Sequence, residues 1–313
     1  MKKIVYVTGC LGFIGTHVTR QCLELGWYVI GVDKLTYASN IQFLSKFKEY
    51  TNFKFIQSDI NDLEMLYDCD YFINTAAETH VDNSIERSDH FVHSNIDGIH
   101  HILKLINQKP KIKMPVLLHF STDEVYGDII SGFHTETDLL KPSNPYSATK
   151  AAADMLVLAW ARTFDLPYVI VRPTNNYGIG QYVEKLIPKS VKYLTVGKNI
   201  ELHNNGTPVR TWLHAEDTAN AVITIINSGK VNEIYNISGN YEIDNLTVVK
   251  KILELYNGRT DVENYITPLN RLGQDVRYAI DDSKLKALGW KTEANFNIEL
   301  AKIVDYYKQN FIW

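Results

Sequence analysis

The fold is set by one short stretch, Ile4-Val5-Tyr6-Val7-Thr8-Gly9-Cys10-Leu11-Gly12-Phe13-Ile14-Gly15. Its apolar start predicts a buried strand, and a helical pattern follows the glycines to about residue 25. Because glycine has no Cβ, the backbone of such a loop can approach a pyrophosphate lying on the helix N-terminus. The spacing Gly-x-x-Gly-x-x-Gly between a strand and a helix therefore predicts a dinucleotide site. We expect contacts from Gly9, Gly12, Phe13, Ile14 and Gly15.

An acidic residue follows the second predicted strand, residues 28–32. This residue is Asp33, 18 positions after Gly15. A carboxylate there accepts both ribose hydroxyls of an adenosine and repels a 2′-phosphate, so we expect NAD rather than NADP. The alternative is that Asp33 only caps a helix. After the third strand, residues 53–56, Asp59 and Ile60 are placed to contact the adenine.

Strands continue to alternate with helices, with further strands at residues 71–74, 116–120 and 168–171. This rhythm predicts an α/β fold with a doubly wound, parallel, Rossmann-type sheet. After Pro173 the pattern becomes irregular and polar-aromatic, at residues 175–178, 185–188 and 210–214. We expect residues 1–173 to form the NAD-binding domain, with about 212–239 returning to it, and residues 174–313 to form mainly a smaller C-terminal substrate-binding lobe.

Composition restricts the possible partners. The 313 residues are 45% hydrophobic with a net charge of -4, which offers no basic footprint for nucleic acid. No apolar run approaches the ~20 residues of a membrane span. The three cysteines lack metal-ligand spacing and are expected to be reduced in a cytoplasmic protein. Histidines in the predicted helix 89–108 have no accompanying carboxylate or cysteine set, so we expect no metal. In the same helix, Asn95 is either a buried polar anchor or a plain helix residue.

Candidate catalytic residues follow the fifth strand, in the stretch Ser121-Thr122-Asp123-Glu124-Val125-Tyr126-Gly127. It places two adjacent carboxylates beside two hydroxyls. Further on, Tyr146 and Lys150 lie four positions apart and share one face of a helix. A nearby ammonium favours the phenolate, so we expect Lys150 to lower the pKa of Tyr146. The alternative is that the acid pair caps a turn and Tyr146 is an ordinary surface residue.

These motifs together resemble the extended short-chain dehydrogenase/reductase family. Within it, the chain resembles the dTDP-glucose 4,6-dehydratases over nearly its whole length. The specific stretches are Asp33-Lys-Leu-Thr-Tyr-Ala-Ser-Asn40, Ala76-Ala-Glu-Thr-His-Val-Asp82, Ser121 to Gly127, Asn175-Asn-Tyr-Gly178, Glu184-Lys-Leu-Ile-Pro188 and Arg277-Tyr-Ala-Ile-Asp281.

The resemblance implies a lyase that converts dTDP-glucose to dTDP-4-keto-6-deoxy-glucose and water. Tyr146, beside Lys150, takes the 4-hydroxyl proton while hydride passes from C4 to tightly bound NAD. Glu124 then removes the acidified C5 proton, and Asp123 protonates the departing 6-hydroxyl. Hydride finally returns to C6, while Thr122 hydrogen-bonds the O4 region. Such an elimination needs one carboxylate protonated and one ionised, which adjacent carboxylates favour.

The resemblance also implies a set of binding residues. Further cofactor contacts are expected from Lys34, Leu35, Thr36, Asn74, Ala76, Ala77, Tyr146, Lys150 and Asn176. The nucleotide-sugar pocket is expected to contain His80, Thr122, Asn175, Lys185, Leu186, Glu201, His203, Arg210, Asn245, Arg271, Gln274 and Asp275. From their chemistry, Arg210, Arg271 and Arg277 suit a diphosphate, which a guanidinium grips in bidentate fashion. The alternative for each arginine is a plain surface position.

The sequence departs from the family pattern at Cys10-Leu11, Thr211, Leu272 and Gln274. The last three lie in the predicted lobe, so the nucleotide base remains open between thymine and uracil. The alternatives are a UDP-glucose 4,6-dehydratase, a nucleotide-sugar 4-epimerase, which the acid pair disfavours, and a catalytically silent NAD-binding protein. The family also implies a homodimer through a four-helix bundle, built on the helices at residues 89–108 and 146–164.

Overall fold

The computed structural model describes residues 2–273 and 275–310. A seven-stranded parallel sheet forms its centre, in the order β10-β6-β5-β4-β1-β2-β3. The strands are β1 (Ile4–Thr8), β2 (Tyr28–Asp33), β3 (Phe53–Gln57), β4 (Tyr71–Asn74), β5 (Val116–Phe120), β6 (Tyr168–Pro173) and β10 (Glu233–Ile237). The order reverses between β1 and β4, so the predicted doubly wound α/β sheet is confirmed.

Helices cover both faces of this sheet. They are α1 (Phe13–Glu24), α2 (Ile41–Lys48), α3 (Val81–Glu86), α4 (Asp89–Phe91), α5 (Gly98–Asn107), α6 (Pro145–Phe164) and α8 (Ala215–Ser228). Apolar residues of α1 and α8 fill the core on one face, and those of α5 and α6 fill the other. Among the described residues, no helix is long and apolar enough to cross a membrane.

The helix predicted at residues 89–108 is interrupted. A π-helical segment, Val92–Asp97, separates α4 from α5. Asn95 in this segment is buried; its Oδ1 accepts from Glu78 N at 2.9 Å, and its Nδ2 donates to Thr149 Oγ1 at 3.0 Å. Of the two hypotheses for Asn95, the buried polar anchor is therefore confirmed. The wider π turn is typical of functional positions, and periodicity alone does not reveal it.

The second half of the chain adds two small sheets. One contains β7 (Asn175–Tyr177), β9 (Val209–His214) and β11 (Tyr241–Asp244); the other pairs β8 (Ile200–His203) with β12 (Ile266–Leu269). The accompanying helices are α7 (Leu186–Thr195), α9 (Asn245–Asn257), α10 (Ser283–Lys286) and α11 (Phe296–Gln309). The prediction of irregular structure at 175–178, 185–188 and 210–214 was wrong. These segments form strands, or the start of α7, because partners distant in sequence stabilise them.

Two glycines of the first loop are required by close approach. Gly9 has a φ of 66°, in the left-handed region that favours glycine. A Cβ on Gly15 would lie 2.0 Å from the Gly9 carbonyl oxygen and 2.7 Å from Thr75 Oγ1. The glycine spacing therefore lets α1 start directly against the loop and β4.

We predict that Gly15→Ala destabilises the chain, because the added Cβ displaces backbone rather than a flexible side chain. The free energy of unfolding, measured by urea denaturation, should fall by about 2–3 kcal/mol. Gly12→Ala is the matched control, since its Cβ would meet the Gly9 oxygen at 3.1 Å and needs only a small adjustment. Equal losses in the two variants would contradict the packing argument.

Candidate active site

A cleft lies along the carboxyl ends of the central strands. Predicted site residues that line it are Gly9, Gly12, Phe13, Ile14, Gly15, Asp33, Lys34, Thr36, Asp59, Ile60, Ala76, Ala77, Thr122, Asp123, Glu124, Tyr146, Asn175, Asn176 and Lys185. In a parallel sheet these strand ends meet at one edge, which explains how residues so distant in sequence share one cleft.

The amino end of α1 is suited to a pyrophosphate. Its N-cap, Gly12, offers no side-chain hydrogen bond, and Phe13, Ile14 and Gly15 line the cleft. The first N–H groups of a helix have no partner inside the helix, and they carry the positive end of its dipole. The chain therefore fits a dinucleotide at this loop.

Asp33 is fixed at the end of β2. Its Oδ2 accepts from Leu11 N at 3.0 Å, while its Oδ1 accepts from Leu35 N and Ser39 Oγ, both at 2.9 Å. The carboxylate is thus rigid, buried and at the wall of the cleft. Nearby, Lys34 Nζ pairs with Asp59 Oδ2 at 3.2 Å. A fixed anion in this position agrees with a 2′-hydroxyl and disfavours a 2′-phosphate.

A 3₁₀ turn, Asp123–Tyr126, carries the acid pair directly after β5. Thr122 caps this turn by accepting from Glu124 N at 3.3 Å, and it donates to Asp123 Oδ1 at 3.1 Å. Asp123 Oδ2 is buried without a hydrogen-bond partner. This unpartnered oxygen is available to a ligand in the cleft.

Burial gives the two carboxyl groups unusual acidities. Desolvation, and then the charge of Glu124, raise the pKa of Asp123 to about 7. Desolvation also raises the pKa of Glu124, although Arg210 and a hydrogen bond from Asn144 oppose the rise. Asn144 Nδ2 and Tyr278 Oη each donate to Glu124 Oε2 at 3.4 Å. Asp123 is therefore set up as the protonated partner near neutral pH, and Glu124 as the carboxylate that Arg210 and Asn144 favour in its ionised form.

The expected effect of Lys150 on Tyr146 is wrong for this structure. Desolvation and the charge of Glu124 raise the pKa of Tyr146, and a hydrogen bond with Thr122 offsets this rise only in part. Lys150 Nζ instead donates to the Phe120 carbonyl at 2.6 Å, and burial lowers the pKa of its ammonium to about 8. The spacing placed both groups on one face correctly, but the prediction left out the cost of burying their charges.

Several predicted pocket residues lie around Asp82, a residue with no predicted role. Arg271 holds this carboxylate in bidentate fashion, with Nε at 2.6 Å and Nη2 at 2.7 Å. His203 Nε2 lies 3.5 Å from Asp82 Oδ2, and His80 Nε2 lies 3.9 Å away. Desolvation would raise the pKa of Asp82, but the hydrogen bonds with His203 and Arg271 hold this pKa below its usual value. The cluster brings one guanidinium and two imidazoles to the same carboxylate, and nearby Lys185 donates to Thr79 O at 2.9 Å.

Other lobe residues are held by specific partners. Arg210 stacks on Tyr278, with its guanidinium carbon 4.4 Å from the ring centre, and donates to the Asp275 carbonyl at 3.2 Å. Glu201 pairs with Lys189 at 2.7 Å. Arg277 is paired with Glu242 at 2.9 Å.

Some predicted site residues do not line the cleft. These are Leu35, Asn74, His80, Lys150, Leu186, Glu201, His203, Arg210, Asn245, Arg271 and Asp275. Asn74 is buried among core partners, accepting from Thr8 Oγ1 at 2.6 Å and contacting His119 Nδ1 at 3.2 Å. Leu35 packs against the core, and Asn245 begins α9. Gln274 lies outside the described residues.

The cleft also contains residues that received no predicted role, including Tyr37, Glu78, Tyr182 and Glu184. Tyr37 Oη donates to Glu184 Oε2 at 3.2 Å, which joins two loops 147 positions apart across the cleft. Both residues belong to stretches that carry the family resemblance. Position within those stretches was the signal that could have identified them.

Within residues 2–273 and 275–310, no group of three or more histidine, cysteine, aspartate or glutamate side chains is arranged to hold a metal ion.

Comparison with known proteins identifies the family. A family model described as GDP-mannose 4,6 dehydratase matches residues 6–303. The chain belongs to this family. It is 41% identical over 308 residues to a low-salt glycan biosynthesis protein of Haloferax volcanii, covering 97% of this chain and 98% of that protein. It is 39% identical to a dTDP-glucose 4,6-dehydratase of Neisseria gonorrhoeae, covering 99% of this chain and 96% of that enzyme.

Solved structures of the family agree with the fold. A dTDP-glucose 4,6-dehydratase from Streptomyces venezuelae, with NAD bound, superposes with a TM-score of 0.92 at 34% identity. The match covers 98% of this chain and 97% of that one. The predicted resemblance to dTDP-glucose 4,6-dehydratases is confirmed, and the predicted cofactor is the one that this relative binds.

We predict that Asp123→Asn stabilises the chain at alkaline pH. Folding raises the pKa of the Asp123 carboxyl group to about 7. The folded protein therefore loses stability as the pH rises from the pKa of this group in the unfolded chain toward 7. Removing this group should increase the free energy of unfolding at pH 8 by on the order of 2–4 kcal/mol, and less as the pH falls toward 4. Urea denaturation across this range provides the measurement.

The control for this prediction is Asp33→Asn. It also removes a buried carboxylate, but one that accepts three hydrogen bonds, so this variant should be destabilised. An Asp123→Asn variant that is no more stable than the parent at pH 8 would show that Asp123 is ionised at little cost.

Proposed function

We propose that this protein is a lyase that converts dTDP-glucose to dTDP-4-keto-6-deoxy-glucose and water, using tightly bound NAD. The observation that carries the proposal is the acid pair, with Asp123 and Glu124 in the same cleft as Tyr146 and the glycine loop. The raised pKa of Asp123, about 7, supplies the proton donor that loss of a hydroxyl group requires. The full-length likeness to dTDP-glucose 4,6-dehydratases supports the same reaction.

The cofactor would be held by the glycine loop, by Asp33 at its adenosine ribose, and by Asp59 and Ile60 near the adenine. NAD, when bound, accepts a hydride from C4 of the hexose and later returns it to C6. The predicted contacts that line the cleft, Lys34, Thr36, Ala76, Ala77 and Asn176, would position the rest of the cofactor, whereas Leu35 and Asn74 lie outside the cleft.

Tyr146 would act as the base toward the 4-hydroxyl proton, assisted by Lys150 and by Thr122. Burial raises the pKa of Tyr146, and the hydrogen bond with Thr122 offsets this only in part, so forming the phenolate is the costly part of this step. Thr122 links the two parts of the site, since it donates to Asp123 and hydrogen-bonds Tyr146.

Glu124 would remove the C5 proton after the 4-ketone has formed. Its contacts with Asn144 and Tyr278 fix the carboxylate, and Arg210 favours its ionised form. Asp123 would protonate the departing 6-hydroxyl. Each acid–base step of this kind typically accelerates a reaction by ~10²–10⁴-fold.

We also propose the division of labour between the two parts of the chain. Residues 1–173, with about 212–239 returning, would bind the dinucleotide, and residues 174–313 would bind mainly the nucleotide sugar. Asn175 Oδ1 and His203 Nδ1 are buried without hydrogen-bond partners, which supports a polar ligand beside them. The substrate set would be His80, Thr122, Asn175, Lys185, Leu186, Glu201, His203, Arg210, Asn245, Arg271, Gln274 and Asp275.

Finally, we propose a cytoplasmic homodimer that pairs α5 and α6 of one protomer with those of its partner in a four-helix bundle. Helices α5 and α6 pack side by side on one face of the central sheet, which supports this arrangement. Light scattering on the purified chain, expected to give twice the monomer mass, is the check.

The reaction is tested by incubating the protein with dTDP-glucose or UDP-glucose and weighing the products by mass spectrometry. We expect dTDP-glucose to lose one water, at a higher kcat/KM than UDP-glucose. An isomer of unchanged mass would indicate an epimerase, and faster turnover of UDP-glucose would reassign the base.

We predict that Glu124→Gln separates the two halves of the cycle. The variant should oxidise C4 but lose C5 deprotonation, so reduced cofactor should build up on the protein while turnover falls by about 10²-fold or more. Absorbance of the reduced nicotinamide measures this build-up. Tyr146→Phe is the matched control and should form no reduced cofactor. If both variants lack this signal, Glu124 does not have the assigned role.

A further inference from the structure

A third ionisable residue continues the row formed by Tyr146 and Lys150. Asp154 follows Lys150 by four positions on α6, so the three side chains share one helix face. All three are buried, with exposed fractions of 7%, 3% and 0%. A carboxylate with no exposure to solvent is uncommon unless it is paired, which directs attention to its partners.

The partners of Asp154 satisfy only one of its oxygens. Arg172 Nε and Nη2 donate to Oδ2 at 3.0 and 2.9 Å, and Ser121 Oγ donates to the same oxygen at 3.0 Å. Asp154 Oδ1 has no hydrogen-bond partner and lies 3.9 Å from His119 Nε2. The ion pair with Arg172 therefore anchors the side chain but leaves half of the carboxylate unused.

The ionisable groups around Lys150 come from four elements. They are Tyr146 and Asp154 on α6, His119 on β5, Arg172 on β6, and Asp123 and Glu124 on the turn after β5. Burial, with the charges of Lys150 and Arg172, lowers the pKa of His119 well below its usual value, so His119 is neutral. The negative charges of Glu124 and Asp123 raise the pKa of Tyr146.

Desolvation lowers the pKa of Lys150 to about 8, and Asp154 is the charged group that opposes this effect. The direct contact of Lys150 Nζ is the neutral Phe120 carbonyl. Without a nearby anion, the ammonium would be costly to bury and would lose its proton more readily. Asp154 lies one helical turn from Lys150, and Arg172 and Ser121 leave one of its oxygens unpaired, so its negative charge can stabilise the buried ammonium as well as the Arg172 guanidinium.

We propose that Asp154 is a positioning residue whose buried carboxylate keeps Lys150 in its ammonium form beside Tyr146, with Arg172 and Ser121 fixing that carboxylate. Its effect on catalysis rests on the function proposed above, but its effect on the charge of Lys150 does not. Replacing Asp154 by a neutral residue therefore shifts deprotonation of Lys150 to lower pH. The same replacement also lowers the upper pH limit of the oxidation step.

The charge of Lys150 is measured directly by NMR, on NAD-loaded protein containing lysine labelled with ¹³C at Cε. The Lys150 signal is assigned by its loss in Lys150→Met and followed through a pH titration. In Asp154→Asn we expect its midpoint to move by about one pH unit or more toward lower pH. The alkaline limb of the pH profile of turnover with dTDP-glucose should move in the same direction.

Two further variants make the test decisive. The double variant Asp154→Asn/Arg172→Met removes both buried charges together. It can therefore fold even if the single variant Asp154→Asn is destabilised by its unpaired Arg172. This double variant should still shift Lys150 downward. Asp217→Asn is the matched control, because Asp217 is also buried and accepts two backbone hydrogen bonds, but it lies on α8. It should leave the Lys150 midpoint unchanged.

The outcomes separate the two hypotheses. A Lys150 midpoint that is unchanged in both Asp154 variants overturns the role of Asp154, whatever the turnover. Wild-type protein that turns over no nucleotide hexose, but still shows the Asp154-dependent midpoint, overturns the proposed function and leaves the electrostatic role in place. A shift of equal size in Asp217→Asn would show that Lys150 only reports general loosening, and this would also overturn the proposal.

Discussion

The site depends on the parallel direction of the central strands. Because β1, β2, β4, β5 and β6 all end at the same edge of the sheet, the groups that follow them must meet there. The glycine loop, Asp33 and the acid pair each occupy one of these strand ends. Tyr146 and Lys150 come instead from α6, which packs on the sheet with their face toward β5. Chain direction thus brings the groups together before any specific contact forms.

Desolvation then sets the chemistry of these groups. It is the largest cause of the raised pKa values of Asp123, Glu124 and Tyr146, and of the lowered pKa of Lys150. Burial favours a protonated Asp123, which suits an acid, but it opposes the phenolate and ammonium that the proposed oxidation step would use. The site therefore needs compensating charges, and Asp154 and Arg210 lie where Lys150 and Glu124 respectively require them.

The groups around Asp82 show a different use of charge. Asp82 pairs with Arg271 in bidentate fashion, and the imidazoles of His203 and His80 lie 3.5 and 3.9 Å from the same carboxylate. This arrangement keeps long polar side chains ordered, since a bidentate guanidinium–carboxylate pair is geometrically specific. A nucleotide sugar would enter a pocket whose basic groups are already positioned.

The sequence by itself determined the order of strands and helices in the first half of the chain, the glycine loop and the row of Tyr146 and Lys150. These features depend on local periodicity and on spacing within one element, and both can be recognised in the sequence without knowing which segments pack together. It also identified the acid pair, because adjacency in sequence places both groups at one strand end. The resemblance supplied most of the remaining candidate residues.

Only the tertiary structure decided the π-helical break at Asn95, the small sheets of the lobe, and the grouping of charges around Asp82 and Asp154. Each depends on pairing between distant segments, such as Arg271 with Asp82 across 189 positions. The direction of the Tyr146 pKa shift was likewise mispredicted from spacing alone. Helical spacing states which groups are neighbours, but the free energy of charging them depends on how much water the fold removes, and that is a property of the whole packed molecule.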